Sequence, residues 1–489
     1  MRAPVFFPPS EAWVGGAIPW QEDGEFHLFY LHEARVHARP DARWHLVTTA
    51  DLLHFSDRGV ALADGGLDDV EVDACTGSVV RADDGVHHLF YASQSPRRPG
   101  ADGRPLQQIS HATSSDGMRS WRRHPELAFG AIDGYEPAHW RDPFVFRDDT
   151  AGVWRMLIAA RHLDGPERRR GVIAQFVSRD LTTWKPTEPF WDPRRYPAYE
   201  CPEVFRWGDW WYLVYSELSE SFATRYRMAR TLQGPWLIPD RDTIDGRAYY
   251  SARSAERDGR RLFFGWIASR EFSDDDGAWQ RGGTMSVLEA RQEAGGTLAF
   301  ALPDELVAGF GVEEPVALQD AVTGLAVPAS AVGFALDAPE GYGALVTEEA
   351  LPEQFYATVR LSLDVGTTEC GLLLRTSASG DVGYIVRIEP RRNRMVFDRW
   401  TRAGAAAATR GRLPGDVPFA LELERPCDLS SGEHVLEIVV DGDLCVVNLD
   451  RSVILSTRIY DHGEGRLGLF VGEGGVTFSE LAIRTRAEA

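Results

Sequence analysis

Cysteine is scarce and scattered in this 489-residue chain. Cys75, Cys201, Cys370, Cys427 and Cys445 are an odd number with no CxxC pair, which excludes a disulfide framework and a zinc knuckle and leaves buried free thiols as the expectation. Basic residues are outnumbered 52 to 73, for a formal charge of −21. Such a surface repels phosphate backbones and anionic lipids, so no nucleic-acid or membrane partner is expected. No run approaches the roughly 20 apolar residues of a membrane span, and the stretch from Met1 to Pro9 has no apolar signal core, so a cytoplasmic protein is expected. Long helical periodicity is missing as well. Phosphate-loop, dinucleotide and metal motifs are absent; Gly282-Gly283 and Gly474-Gly475 lack the strand, turn and helix context such loops require. No cofactor and no metal are therefore expected. The cluster Arg168-Arg169-Arg170 reads as a solvated hairpin loop.

What the chain does have is aromatic, β-rich repetition. With 44% hydrophobic and 11% aromatic residues it can bury a large core in more than one domain. A turn glycine followed by a short aromatic run recurs at Gly24 to Tyr30, Gly85 to Tyr91, Gly152 to Ile158, Gly208 to Tyr215 and Gly259 to Trp266. The glycines are spaced by 61, 67, 56 and 51 residues. An acid placed shortly before an aromatic follows three of these hairpins, at Asp51 to Phe55, Asp116 to Trp121 and Asp180 to Trp184. Each unit holds about four short strands, and units of that kind bury both faces by stacking radially. The expectation is an all-β chain with a five-bladed propeller over residues 1–302, the alternative being a pair of β-sandwiches.

Pro303 to Phe310 reads as a short linker helix, within a linker spanning 303–322. A β-sandwich is expected over 323–489, with strands at Gln354 to Leu363, Cys370 to Arg375, His434 to Val440 and Leu467 to Val471. The alanine-rich run from Ala405 to Arg410 reads as a loop.

Two segments set single acids among stiffening neighbours. In Trp140-Arg141-Asp142-Pro143, Arg141 can fix a substrate hydroxyl or a nearby carboxylate, and Pro143 rigidifies the chain after Asp142. In Tyr199-Glu200-Cys201-Pro202, Glu200 stands at the mouth of an apolar strand, where aromatic and thiol neighbours favour the raised pKa of a general acid. Both precede a repeat hairpin, in the innermost-strand position of blades three and four, so both can face one axial pocket. Each also has a bland reading: a turn clamp for the Arg-Asp pair, a strand-entry bend for Glu-Cys-Pro.

These motifs resemble glycoside hydrolase family 32, the invertases, inulinases and levanases. Arg141-Asp142-Pro143 is similar to the family's Arg-Asp-Pro, Glu200-Cys201-Pro202 to its Glu-Cys-Pro, Asp73 to Ser78 to its blade-two segment, and Phe26 to Tyr30 to its first hairpin. The likeness runs more loosely through Asp245 to Tyr250, Gly265-Trp266, Asp398-Arg399 and Arg458 to Tyr460. The resemblance implies a glycosidase acting on a small fructofuranoside or related sugar. Glu200 would be its general acid and Asp142 would stabilise an oxocarbenium-like transition state, with substrate contacts from Trp13, Asp73, Ser78, Arg141, Tyr250 and Trp279. The aromatics among these read equally as sugar platforms or as core. A small carbohydrate is the expected partner, and self-association into a homo-oligomer is compatible with it.

One departure stands out. The family's nucleophile lies in a Trp-Met-Asn-Asp-Pro-Asn-Gly segment of blade one, but here Trp13 to Trp20 contains no acid. Alignment on Trp13 puts Gly16 in its place, or Gly15 if the register slips by one. That leaves several readings open: hydrolysis with another base, a transferase, anhydride-forming or lyase-type reaction, a sugar-binding protein without turnover, or a substitution introduced at this position. Asp73 and Glu71 are the first substitutes to consider, with Glu22, Asp23 and His32 behind them as ordinary turn or strand-end residues.

Overall fold

The computed structural model describes residues 4–34, 43–63, 71, 73–322, 326–330, 333–400 and 423–487. The expected Ala405 to Arg410 loop lies outside them.

The five turn glycines do what their positions require. Gly24, Gly85, Gly152, Gly208 and Gly259 all have positive φ, between 58° and 86°, a conformation that costs a residue with a Cβ. Each opens the second strand of a hairpin: Glu25–Ala34, His87–Pro99, Val153–His162, Trp210–Glu217 and Arg260–Arg270. The strand before each is the innermost of its blade: Ala12–Glu22, Asp73–Arg81, Tyr135–Asp148, Glu200–Trp207 and Tyr249–Arg257. These inner strands adjoin one another in a closed ring, one to two and onward through five to one. The molecule is a five-bladed β-propeller followed by a β-sandwich.

The acid marks are turn formers. Asp51 Oδ1 accepts from the backbone N–H of Leu53 and His54, Asp116 Oδ1 from Arg119 and Ser120, and Asp180 Oδ1 from Thr182 and Thr183. Within these turns Leu52, Met118 and Leu181 take positive φ and bury their side chains. The acid thus offsets backbone strain by satisfying N–H groups that would otherwise be open.

The helix after Pro303 spans Asp304–Ala308, but 303–322 is more than a linker. Val312–Glu314 pairs with the last strand, Arg466–Thr485, and Leu318–Asp320 pairs with Gly333–Thr347. Both short strands alternate too little to be read from sequence. In the sandwich the 20-residue strand Arg466–Thr485 is the hub. Its first half pairs with Glu369–Thr376 and its second half with Gln354–Leu363, so it passes from one layer to the other.

One apolar cluster runs through blades one, four and five and the sandwich, and buried polar contacts seal the joint. Arg458 donates to the carbonyls of Ala268 and Ile267 and to Thr284 Oγ1 at 2.8–3.1 Å. Tyr384 donates to Asp275, which also accepts from the Tyr460 N–H. Arg399 pairs across the joint with Asp276 and, at 3.8 Å, with Asp275. The Asp398-Arg399 and Arg458 to Tyr460 segments therefore hold the two domains together at a distance from the axial pocket.

Candidate functional site

Every inner strand carries the same irregularity. Two residues oppose one across the first hairpin at Gly15-Gly16, Cys75-Thr76, Asp142-Pro143, Cys201-Pro202 and Ser251-Ala252. A bulge re-aims a side chain and ends regular pairing, and here five of them face the axis. Asp142, Cys201 and Ser251 take positive φ at 56°, 49° and 57°. Around them lies a cavity of about 370 Å³ lined in part by Gly15, Cys75, Thr76, Arg141, Asp142 and Glu200.

The structure brings Asp142 and Glu200 into this one pocket. Asp142 accepts from the Thr76 hydroxyl on Oδ1 and from the Cys201 N–H on Oδ2, the latter at 3.0 Å, so blades two and four hold a side chain of blade three. Glu200 accepts from Arg141 Nη2 at 2.7 Å and from the Tyr250 hydroxyl at 2.8 Å. Burial opposes the charge on Arg141, but Glu200 and Asp142 outweigh it and raise its pKa. Burial and the charge of Glu200 together push the Tyr250 pKa well up, so its phenol remains a donor. The Cys201 thiol is pushed up to about 12, first by burial and then by Asp142, and sits 3.1 Å from Ser251 Oγ. It is neutral and packs the pocket floor.

Aromatic rings form one wall. Tyr250 stacks on Phe222 with centroids 4.1 Å apart and lies 5.5 Å from Trp266. Beneath the pocket, Arg253 is buried and donates to the carbonyls of Gly77 and Asp142, tying blade five to blades two and three.

The other sequence candidates stand elsewhere. Asp73 accepts from Gln94 Nε2 at 2.7 Å, and Gln94, not Asp73, lines the cavity. Ser78 Oγ accepts from the Val145 N–H and so joins blades two and three. Trp279 lies under the Arg270 guanidinium, 3.9 Å from centroid to Cζ. Trp13 is half-buried beside Gly282, outside the lining. Among the proposed substitutes for the nucleophile, Glu71 is buried, accepts from the Tyr91 hydroxyl and pairs with Arg123. Glu22 pairs with His87 and Arg81 at the far end of its strand, and Asp23 is exposed in the turn. His32 stacks on His45 at 4.1 Å.

The bulge register sets the two glycines apart. Gly15 is first in its bulge, as Asp142 is in blade three, whereas Gly16 matches Pro143. Sequence reasoning missed Arg281, which lines the cavity, and Glu33, which pairs with it at 3.3 Å. Glu33 was recoverable from the hairpin, since a tight turn at Gly24 sets it opposite Trp13.

Comparison with known proteins adds four findings. The profile of the glycosyl hydrolases family 32 N-terminal domain matches residues 8–289. A sucrose-6-phosphate hydrolase of Escherichia coli is 25% identical over 321 residues, 61% of this chain and 64% of that protein; the match thus spans less than two thirds of this relative. A levanbiose-producing levanase of Bacillus subtilis is 23% identical over 517 aligned positions, 99% of this chain and 90% of that protein. In fold, the exo-inulinase of Aspergillus awamori superposes with a TM-score of 0.73 at 18% identity, covering 99% of both chains.

Proposed function

The chain belongs to glycosyl hydrolase family 32, and from that premise we propose that it hydrolyses a fructofuranoside, with Glu200 as general acid and Asp142 as stabiliser of the transition state. The observation that carries this reading is the convergence of both carboxylates on one small cavity, each held by donors from other blades or strands. The relatives' names, sucrose-6-phosphate hydrolase and levanase, point to the same substrate class. A volume of about 370 Å³ is at the small end for a ligand cavity and suits the end of a short sugar chain.

The roles follow from the contacts. As the glycosidic bond breaks, Glu200 gives its proton to the departing oxygen. Arg141 and Tyr250 keep that carboxyl aimed. Asp142 spends one lone pair of each oxygen on Thr76 and Cys201 and keeps the others for sugar hydroxyls, whose hydrogen bonds strengthen as positive charge grows on the ring. The Tyr250, Phe222 and Trp266 rings give the sugar an apolar face.

The test is reducing-sugar release from sucrose, sucrose 6-phosphate, levan and inulin. Turnover of at least one that is lost in Glu200→Gln supports the proposal. A second reading, a sugar-binding protein without turnover, draws on Gly15, which leaves blade one without an acid at its bulge. Tight binding of these sugars with no release of product would favour it.

A further inference from the structure

Four of the five bulges put a side chain at their first position, Cys75, Asp142, Cys201 and Ser251; blade one puts Gly15 there. The space beside Gly15 is nonetheless filled. A Cβ built on it would lie 2.1 Å from Glu33 Oε1, 2.6 Å from Glu33 Cδ and 3.0 Å from Glu33 Cγ. By ordinary bond lengths the carboxylate oxygens of an aspartate stand about 2.4 Å from its own Cβ. The Glu33 carboxylate thus lies against Gly15, in the space that a side chain at position 15 would need.

Glu33 reaches that volume from the second strand of the same blade, directly across the ladder from Trp13. Arg281, from blade five, holds Glu33 Oε1 at 3.3 Å and itself lines the cavity. Glu33 itself stands behind Gly15 and Arg281, the two neighbours through which it borders the cavity, and its side chain retains 24% of its exposure. Burial raises its pKa, Arg281 opposes the rise, and Asp73 from blade two adds to it.

We propose that Glu33 is the catalytic nucleophile, supplied by the second strand of blade one in place of the acid missing from the first. This rests on the fructosidase reading above. In the first step a Glu33 oxygen bonds to the anomeric carbon, the glycosidic C–O bond breaks, and the leaving oxygen takes the proton of Glu200. In the second, Glu200 removes a proton from water, the water oxygen bonds to the anomeric carbon, and the ester to Glu33 breaks to regenerate both groups. Two displacements return the product with its original anomeric configuration.

The full-length protein is assayed first on the four substrates above; if it turns over none, the fructosidase reading fails and this proposal with it. Given turnover, Glu33→Gln should lower kcat by about 10⁴-fold or more with its melting temperature little changed. A fluorinated fructosyl donor should label the peptide that contains Glu33, and azide should restore turnover to Glu33→Gly with formation of a fructosyl azide. Should Glu33→Gln fail to fold, labelling of the unaltered protein and the double variant Gly15→Asp/Glu33→Gly decide the matter. The double variant returns the carboxylate to the first strand and should exceed Glu33→Gly by at least 10²-fold. Activity of Glu33→Gln within tenfold of the unaltered protein, a label on another residue, or an inverted product seen by NMR would overturn the proposal while leaving the fructosidase reading intact.

Discussion

Blades one and three carry the same bulge in the same register, and they hold their chemistry in opposite ways. In blade three the first bulge residue is Asp142, kept at a φ of 56° that costs about 1–3 kcal/mol and retained by contacts from blades two and four. In blade one the same position is Gly15, free of that strain, and Glu33 fills the space where a side chain would go. The difference teaches that the bulge belongs to the fold, while the group it presents can come from either strand of the hairpin.

After the loss of Glu33, the largest expected effect falls at Glu200, which Arg141 of blade three holds. Glu200→Gln should cost roughly 10² to 10⁴ in kcat/KM on fructosides with basic leaving groups, and far less on aryl fructosides that depart without a proton; equal losses on both would remove Glu200 from the acid role. Next, Asp142→Gly makes blade three resemble blade one. Without a neighbouring carboxylate to fill the gap, kcat/KM should fall roughly 10² to 10³-fold, and a fall of less than tenfold would erase the contrast between the blades.

A smaller effect sharpens the comparison from the other side. Gly15→Ala drives a methyl group into the Glu33 carboxylate, which must swing aside, so activity should drop by roughly 10- to 10²-fold with folding preserved. Gly16→Ala meets Thr76 Cγ2 at 2.6 Å and Ser251 Oγ at 3.8 Å but not Glu33, and should cost less. The reverse ranking, measured as kcat/KM for the pair, would restore Gly16 as the position that matters.

How much of this was legible in the sequence depended on whether a feature is local. The turn glycines and the acids Asp51, Asp116 and Asp180 act within a few residues of themselves, so their spacing announces the blades. Asp142, Glu200, Arg141 and Tyr250 were legible because each sits on an inner strand beside a chain-stiffening or aromatic residue. Arg281 was not, because it is placed by the closing of the ring, and Glu33 was legible only through the hairpin register that sets it opposite Trp13. Trp279 and Ser78 have the right chemistry for a sugar site, but Arg270 and the Val145 N–H already engage them. The strands at Val312–Glu314 and Leu318–Asp320 are three residues each, too short for alternation to show.

The smallest expected effect concerns a turn in blade one. Burial works against the charge of Asp51, but hydrogen bonds from His54 and from the N–H groups of His54 and Leu53 lower its pKa to about 2. A carboxylate with a depressed folded-state pKa stabilises above its unfolded value of 3.8 and loses that contribution as pH falls toward 2. Asp51→Ala should therefore lower the melting temperature by about 1–2 °C near pH 6, and the gap should narrow between pH 4 and 2. A gap that stays constant over that range would detach the turn from the charge of its acid.

The ring itself is fastened from outside. Blades one and five share the ladder pair Val14 with Gly283 and a single bridge from Phe7 to Met285. Just upstream, the N–H groups of Val5 and Phe6 donate to Asp441, a residue of the sandwich that Gln354 also holds. The second domain is thus a clasp on the propeller's seam, and the strand it secures is the one that bears Gly15. Cutting the chain after the fifth blade would release that seam, so a severed propeller should lose the shape of its pocket before it loses its blades.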